Sequence, residues 1–87
     1  MKGKTSSGFE YELDEAALDD YELLEDLCEM DAGNVAKMSS MLNRLIGPEQ
    51  KERLKEHLRT EKGRVPMSKM MIEIEEIFKN AKAGKNS

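Results

Sequence analysis

The chain has 87 residues, 18 of them acidic and 14 basic, for a formal charge of −4; 38% are hydrophobic and 37% charged. A chain of this length makes one small domain and buries only about 60 to 65% of its unfolded surface, which leaves a thin core and little wall for a deep catalytic pocket. There is no run of apolar residues long enough for a membrane span and no basic start followed by an apolar stretch, so a cytoplasmic protein is expected. One cysteine (Cys28) and one histidine (His57) provide neither a disulfide framework nor a zinc site.

The net charge conceals a segregation. Eleven acidic side chains and no basic one lie between Glu10 and Asp31, giving −11 there and +7 over the rest of the chain. Opposed charge halves favour docking within one chain or head-to-tail contact between chains.

Residues 1–8, MKGKTSSG, are small, polar and basic and read as a free end. Phe9, Tyr11 and Leu13 then alternate with Glu10 and Glu12, the period of two of a short strand. No second strand candidate is evident, so residues 9–13 are expected either to lie on the helices as an extended arm or to pair with another molecule.

The first long helix is expected over about 19–31. Asp19 and Glu22 resemble a capping box, and Tyr21, Leu24, Leu27 and Cys28 are taken as its buried face, widened by Leu23 and Met30. Acids at Glu29 and Asp31 oppose the helix dipole in the last turn. That is a hint that something basic covers this end, although a solvated acidic surface is the simpler account.

A second helix is expected over 34–46, capped by Asn34, with Val35, Met38, Met41, Leu42, Leu45 and Ile46 on one stripe. Gly47 ends it and Pro48 opens a third, 48–61, mostly polar with a Leu54–Leu58 seam. The fourth, 66–82, places Met67, Met70, Met71, Ile74, Ile77, Phe78 and Ala81 on one side. Residues 83–87 read as a tail. The expected fold is therefore all-α: one domain over 9–82, a bundle of about four helices with an N-terminal arm or short strand.

Chemistry-bearing motifs are few. His57 lies on the polar third helix and reads as a solvated histidine, and Cys28, among Glu25, Asp26, Glu29 and Asp31, as a small core residue. No calcium-loop ladder and no glycine-rich phosphate loop is present, so neither metal nor cofactor is expected. The segment 44–69 carries eight bases against four acids, but the helix after it exposes Glu73, Glu75 and Glu76, which DNA phosphates repel. The internal methionines read first as core filler, at roughly two to one over an adaptable groove, with one of Met67, Met70 and Met71 expected at the edge of the core and available to a partner.

The order FEYELDEAALDDYELLEDL, then LIGPEQKERLKEHLR, then GRVPMSKMMIEIEEIF, over about residues 9–79, resembles the small proteins encoded just ahead of the tape measure gene in siphophages and prophages of Gram-positive bacteria. Those are regarded as tail assembly chaperones. The resemblance implies a non-enzymatic protein of the bacterial host cytoplasm that binds the helical tape measure protein, helps recruit tail tube protein, and is absent from the finished virion; a homo-oligomer is compatible with it. On this reading Phe9, Tyr11 and Leu13 of the arm and Met67, Met70 and Met71 of the last helix are the candidate partner contacts. Two other readings stand beside it: a nucleic-acid-binding regulator acting through 44–69, and an acidic inhibitor or mimic acting through Glu10–Asp31.

Overall fold

The computed structural model describes the backbone of residues 1–85 and the side chains through Ala81. Its elements in chain order are β1 (Lys2–Lys4), β2 (Glu10–Glu12), α1 (Glu15–Leu18), α2 (Tyr21–Asp31), a 3₁₀ turn (Val35–Lys37), α3 (Met38–Leu58) and α4 (Met67–Lys85). The chain is mostly helical, a small bundle carrying a two-stranded antiparallel hairpin.

The first correction concerns residues 1–8, which are not a free end. Lys2–Lys4 is the missing partner strand, in register Lys2↔Glu12, Gly3↔Tyr11 and Lys4↔Glu10. Opposite charges therefore sit across the ladder from each other on one face, the favourable arrangement for cross-strand neighbours. On the other face Gly3 sits opposite Tyr11, whose ring occupies the space a Cβ at Gly3 would fill. The hairpin closes through Thr5, whose N–H donates to the Phe9 carbonyl at 2.9 Å, and Gly8, whose N–H donates to the Thr5 carbonyl at 3.0 Å.

Alternation along β2 sends Phe9, Tyr11 and Leu13 inward, and Leu13 is only 1% exposed. The outer edge of β2 is covered. The Gln50 side chain accepts from the Glu12 N–H and donates to the Glu12 carbonyl, both at 2.6 Å, and Arg53 donates to the Glu10 carbonyl at 3.1 Å. With β1 on one edge and α3 side chains on the other, β2 has no free edge at Glu10 and Glu12 to offer another strand.

The helix expected over 19–31 begins at Tyr21, preceded by the short α1 with Asp14 as its cap. Asp20, not Asp19, caps α2, accepting from the Glu22 N–H at 2.9 Å. Asn34 makes no cap of α3; its side chain donates to Glu29 at 3.1 Å, and three residues of 3₁₀ helix intervene before Met38. The helices expected over 34–46 and 48–61 run as one element, Met38–Leu58, broken at Gly47 (φ 82°, ψ 159°), a conformation essentially reserved for glycine. The break re-aims the chain so that Met41, Leu42, Leu45 and Ile46 before it and Leu54 and Leu58 after it all reach one core. The fourth helix extends from Met67 to Lys85, so 83–85 of the expected tail is helical and 86–87 lies outside the described residues.

The core joins the hairpin (Phe9, Tyr11, Leu13), Leu23 of α2, the α3 stripe and Met70, Ile74, Ile77 and Ala81 of α4. The Cα radius of gyration, 12.6 Å, is close to the roughly 12 Å of a compact chain of this length.

Candidate functional site

Two surfaces concentrate unusual chemistry. The first is the seat of the hairpin turn on α4. Glu73 is buried, and both the Thr5 hydroxyl (2.7 Å) and the Ser7 hydroxyl (2.8 Å) donate to its Oε1. One helical turn on, the Ser6 N–H donates to Glu76 Oε2 at 2.6 Å and the Ser6 hydroxyl to Oε1. These bonds from Ser6, with Lys79 adding a smaller effect, hold the Glu76 carboxyl below the usual carboxylate range.

His57 Nε2 lies 3.1 Å from both Ser7 Oγ and the Ser7 carbonyl. Nucleophilic catalysis would require Nε2 to accept the serine proton. The Ser7 carbonyl can only accept, so Nε2 carries hydrogen, while the Ser7 hydroxyl hydrogen is committed to Glu73. Here Ser7 and His57 fasten the turn to α3 and α4, with the His57 ring 5.5 Å from that of Phe9. Among the described residues no group of three or more His, Cys, Asp or Glu is placed to hold a metal ion.

The second surface is α2, which is turned about its axis from the expected orientation: Leu23, Leu27 and Met30 of the expected face lie inward, and Tyr21, Leu24 and Cys28 do not. Leu23 and Asp26 are buried, with Leu27 and Met30 half-buried beside them, whereas Tyr21 is 72% and Leu24 54% exposed and Cys28 is exposed. Three of the four residues assigned to the core face thus form an outward apolar row, and Cys28 is not a core residue. Asp26 fixes this orientation: its carboxylate, 7% exposed as a residue, accepts from the Ser40 hydroxyl at 2.7 Å and lies 3.7 Å from Arg44 Nε. The same guanidinium reaches Asp20 at 3.6 Å and Glu22 at 3.2 Å. A buried carboxylate needs such partners, and Ser40 and Arg44 of α3 supply them to Asp26.

Comparison of the chain with protein-family models, with curated proteins and with solved structures returned no match.

The six candidate contact residues divide. Phe9, Tyr11, Leu13 and Met70 are spent on the chain's own core, and Tyr11 is further held by Asn80, whose amide donates to its hydroxyl oxygen at 3.2 Å. A partner reaches them only by displacing the hairpin or α4. Met67 (58% exposed) and Met71 (43%) remain at the surface. The exposure of the α2 row was not foreseen because a helical stripe in the sequence shows periodicity but not which way it faces. The signal available was Asp26, flanked by Leu23, Leu27 and Met30, which together define the competing face.

Four of the segment's eight bases meet an acid or an aromatic ring of the chain itself. Arg44 serves α2, Lys55 pairs with Glu52 at 3.2 Å, Arg59 with Glu56 at 2.9 Å, and Arg53 stacks over Phe9 at 5.6 Å. No helix among the described residues is long and apolar enough to cross a membrane.

Proposed function

We propose that this chain is a non-enzymatic binding protein, a phage or prophage tail assembly chaperone that holds the tape measure protein in the bacterial host cytoplasm and is not retained in the virion. The observation that carries the reading is the outward row Tyr21, Leu24 and Cys28: a small, highly charged domain leaves apolar side chains of a long helix unburied while a carboxylate takes the inner position. Solvent-facing apolar rows on a helix are what an amphipathic helical client can cover. Recruitment of tail tube protein follows from the same resemblance. The acidic-mimic reading has one observation in its favour, the unpaired acids along α2 (Glu25, Glu29, Asp31), which have no cation within 4.0 Å among the described residues. Coexpression decides between them. A siphophage tape measure protein coexpressed with this chain should stay in the soluble fraction only when this chain is present, and equal precipitation with and without it overturns the proposal.

A further inference from the structure

The outer face of α2 carries two parallel rows. Tyr21, Leu24 and Cys28 form an apolar row at spacings of three and four, and Glu22, Glu25 and Glu29 repeat the same spacing one residue later, about 100° around the helix. Each row spans about 10 Å, two helical turns. Glu22 is answered by Arg44, and Asn34 donates to Glu29, but no cation stands within 4.0 Å of Glu25, Glu29 or Asp31 among the described residues. Acids in the last turn also sit at the negative end of the helix dipole, where a cation is favoured.

Resting on the binding reading above, we propose that α2 docks a basic amphipathic helix of the client, with an apolar stripe laid against Tyr21, Leu24 and Cys28 and a lysine or arginine row beside it, along Glu25 and Glu29. Charge complementarity selects this occupant. A second copy of the chain does not offer it. The bases of α3 are interleaved with glutamates and partly paired to them, and the exposed Met67, Met71 and Ile72 of α4 are followed one turn on by Glu75 and Glu76. No exposed helix face among the described residues combines an apolar row with an uncompensated basic one.

The test uses the full chain and three synthetic helical peptides of about five turns: a leucine–lysine peptide with leucines on one face, its leucine–glutamate counterpart, and a leucine–lysine peptide of the same composition with the stripe scrambled. Calorimetric titration should show binding of the first alone. Leu24→Glu, which places a charge at the centre of the contact, should weaken it roughly tenfold or more, as should Glu25→Lys combined with Glu29→Lys. Raising salt from about 0.1 M to about 1 M, which shortens the Debye length from about 10 to about 3 Å, should also weaken it. All three positions are exposed, so melting curves of both variants should match the parent. Equal binding of striped and scrambled peptides, unchanged binding by either variant, or a dimer by light scattering that Leu24→Glu dissolves, each overturns the assignment. If the Leu24→Glu chain still keeps the tape measure protein soluble, the docking face is wrong and the chaperone reading stands. If the parent chain fails to do so, that reading falls whatever the peptides show.

Discussion

Thr5→Val tests whether the hairpin is fastened to α4 as the hydrogen bonds indicate. Valine reproduces the shape of threonine and removes only the hydroxyl. Two interactions go with it: the donation to the buried Glu73 carboxylate at 2.7 Å, and the acceptance from the Phe9 N–H at 3.3 Å. A bond to a charged group contributes about 1.5–3 kcal/mol, and a buried N–H left unpaired costs about 1–3 kcal/mol. The long Phe9 contact and the remaining Ser7 donor place the sum near the lower end, about 3 kcal/mol. An 87-residue domain has roughly 4–13 kcal/mol in all, so the variant should lose about a quarter or more of its stability. Its melting temperature should fall by about 12–24 °C. Urea unfolding followed by far-UV circular dichroism measures this, with Thr5→Ser as the control that keeps the hydroxyl and loses about 1 kcal/mol or less. A second arm asks whether the loss runs through Glu73. Thr5→Val and Glu73→Leu together should cost less than the sum of the two by at least about 1 kcal/mol, since the double variant leaves no carboxylate to satisfy. A Thr5→Val shift below about 0.5 kcal/mol, or strict additivity with Glu73→Leu, would refute the reasoning.

Gly3→Val should displace Tyr11 from the core and destabilise the chain by about 1–3 kcal/mol, with the Tyr11 and Asn80 NMR signals shifting together. Leu23→Ala should cost about 2–5 kcal/mol while Cys28→Ser stays within about 0.5 kcal/mol, a contrast in urea midpoints that would reverse if α2 faced the other way. Because the Glu76 carboxyl is held below its ordinary value in the folded chain, its bonds to Ser6 are fully formed above the unfolded carboxylate range. They are lost as pH falls through the lowered folded value, so the protection of the Ser6 amide, its exchange relative to an unstructured amide at the same pH, should fall only in acid, and Glu76→Gln should remove that dependence.

The α3 and α4 stripes were legible in their central turns, where Met41, Leu42, Leu45, Met70, Ile74 and Ile77 reach the core, while Val35, Met67 and Met71 at their N-terminal ends are exposed; Gly47 with Pro48 marked the break between the two arms of α3. The inward alternation of Phe9, Tyr11 and Leu13 was legible on the same grounds. Lys2–Lys4 was not: its inward residue is a glycine, chosen by the Tyr11 ring it must admit, so the strand carries no apolar signal of its own. The orientation of α2 was hidden for a different reason. Two faces of that helix are apolar enough to be buried, and the choice between them is made by Ser40 and Arg44, residues on another helix. The seat at Glu73 was equally invisible, since Thr5, Ser7, His57 and Glu73 are brought together across most of the chain and share no spacing.

The hairpin turn rests on Glu73 and Glu76, more than sixty residues downstream of it. On the ribosome the hairpin is therefore made first and receives its seat last. At about 5–20 residues per second, residues 13–76 take roughly 3–13 s to synthesise; until α3 is made Phe9, Tyr11 and Leu13 have only a marginal two-stranded ladder beside them, and until α4 is made the turn has no seat. The nascent chain reaches its native state only after α4 has emerged, and premature release before Glu76 should yield an N-terminal fragment that aggregates or is degraded.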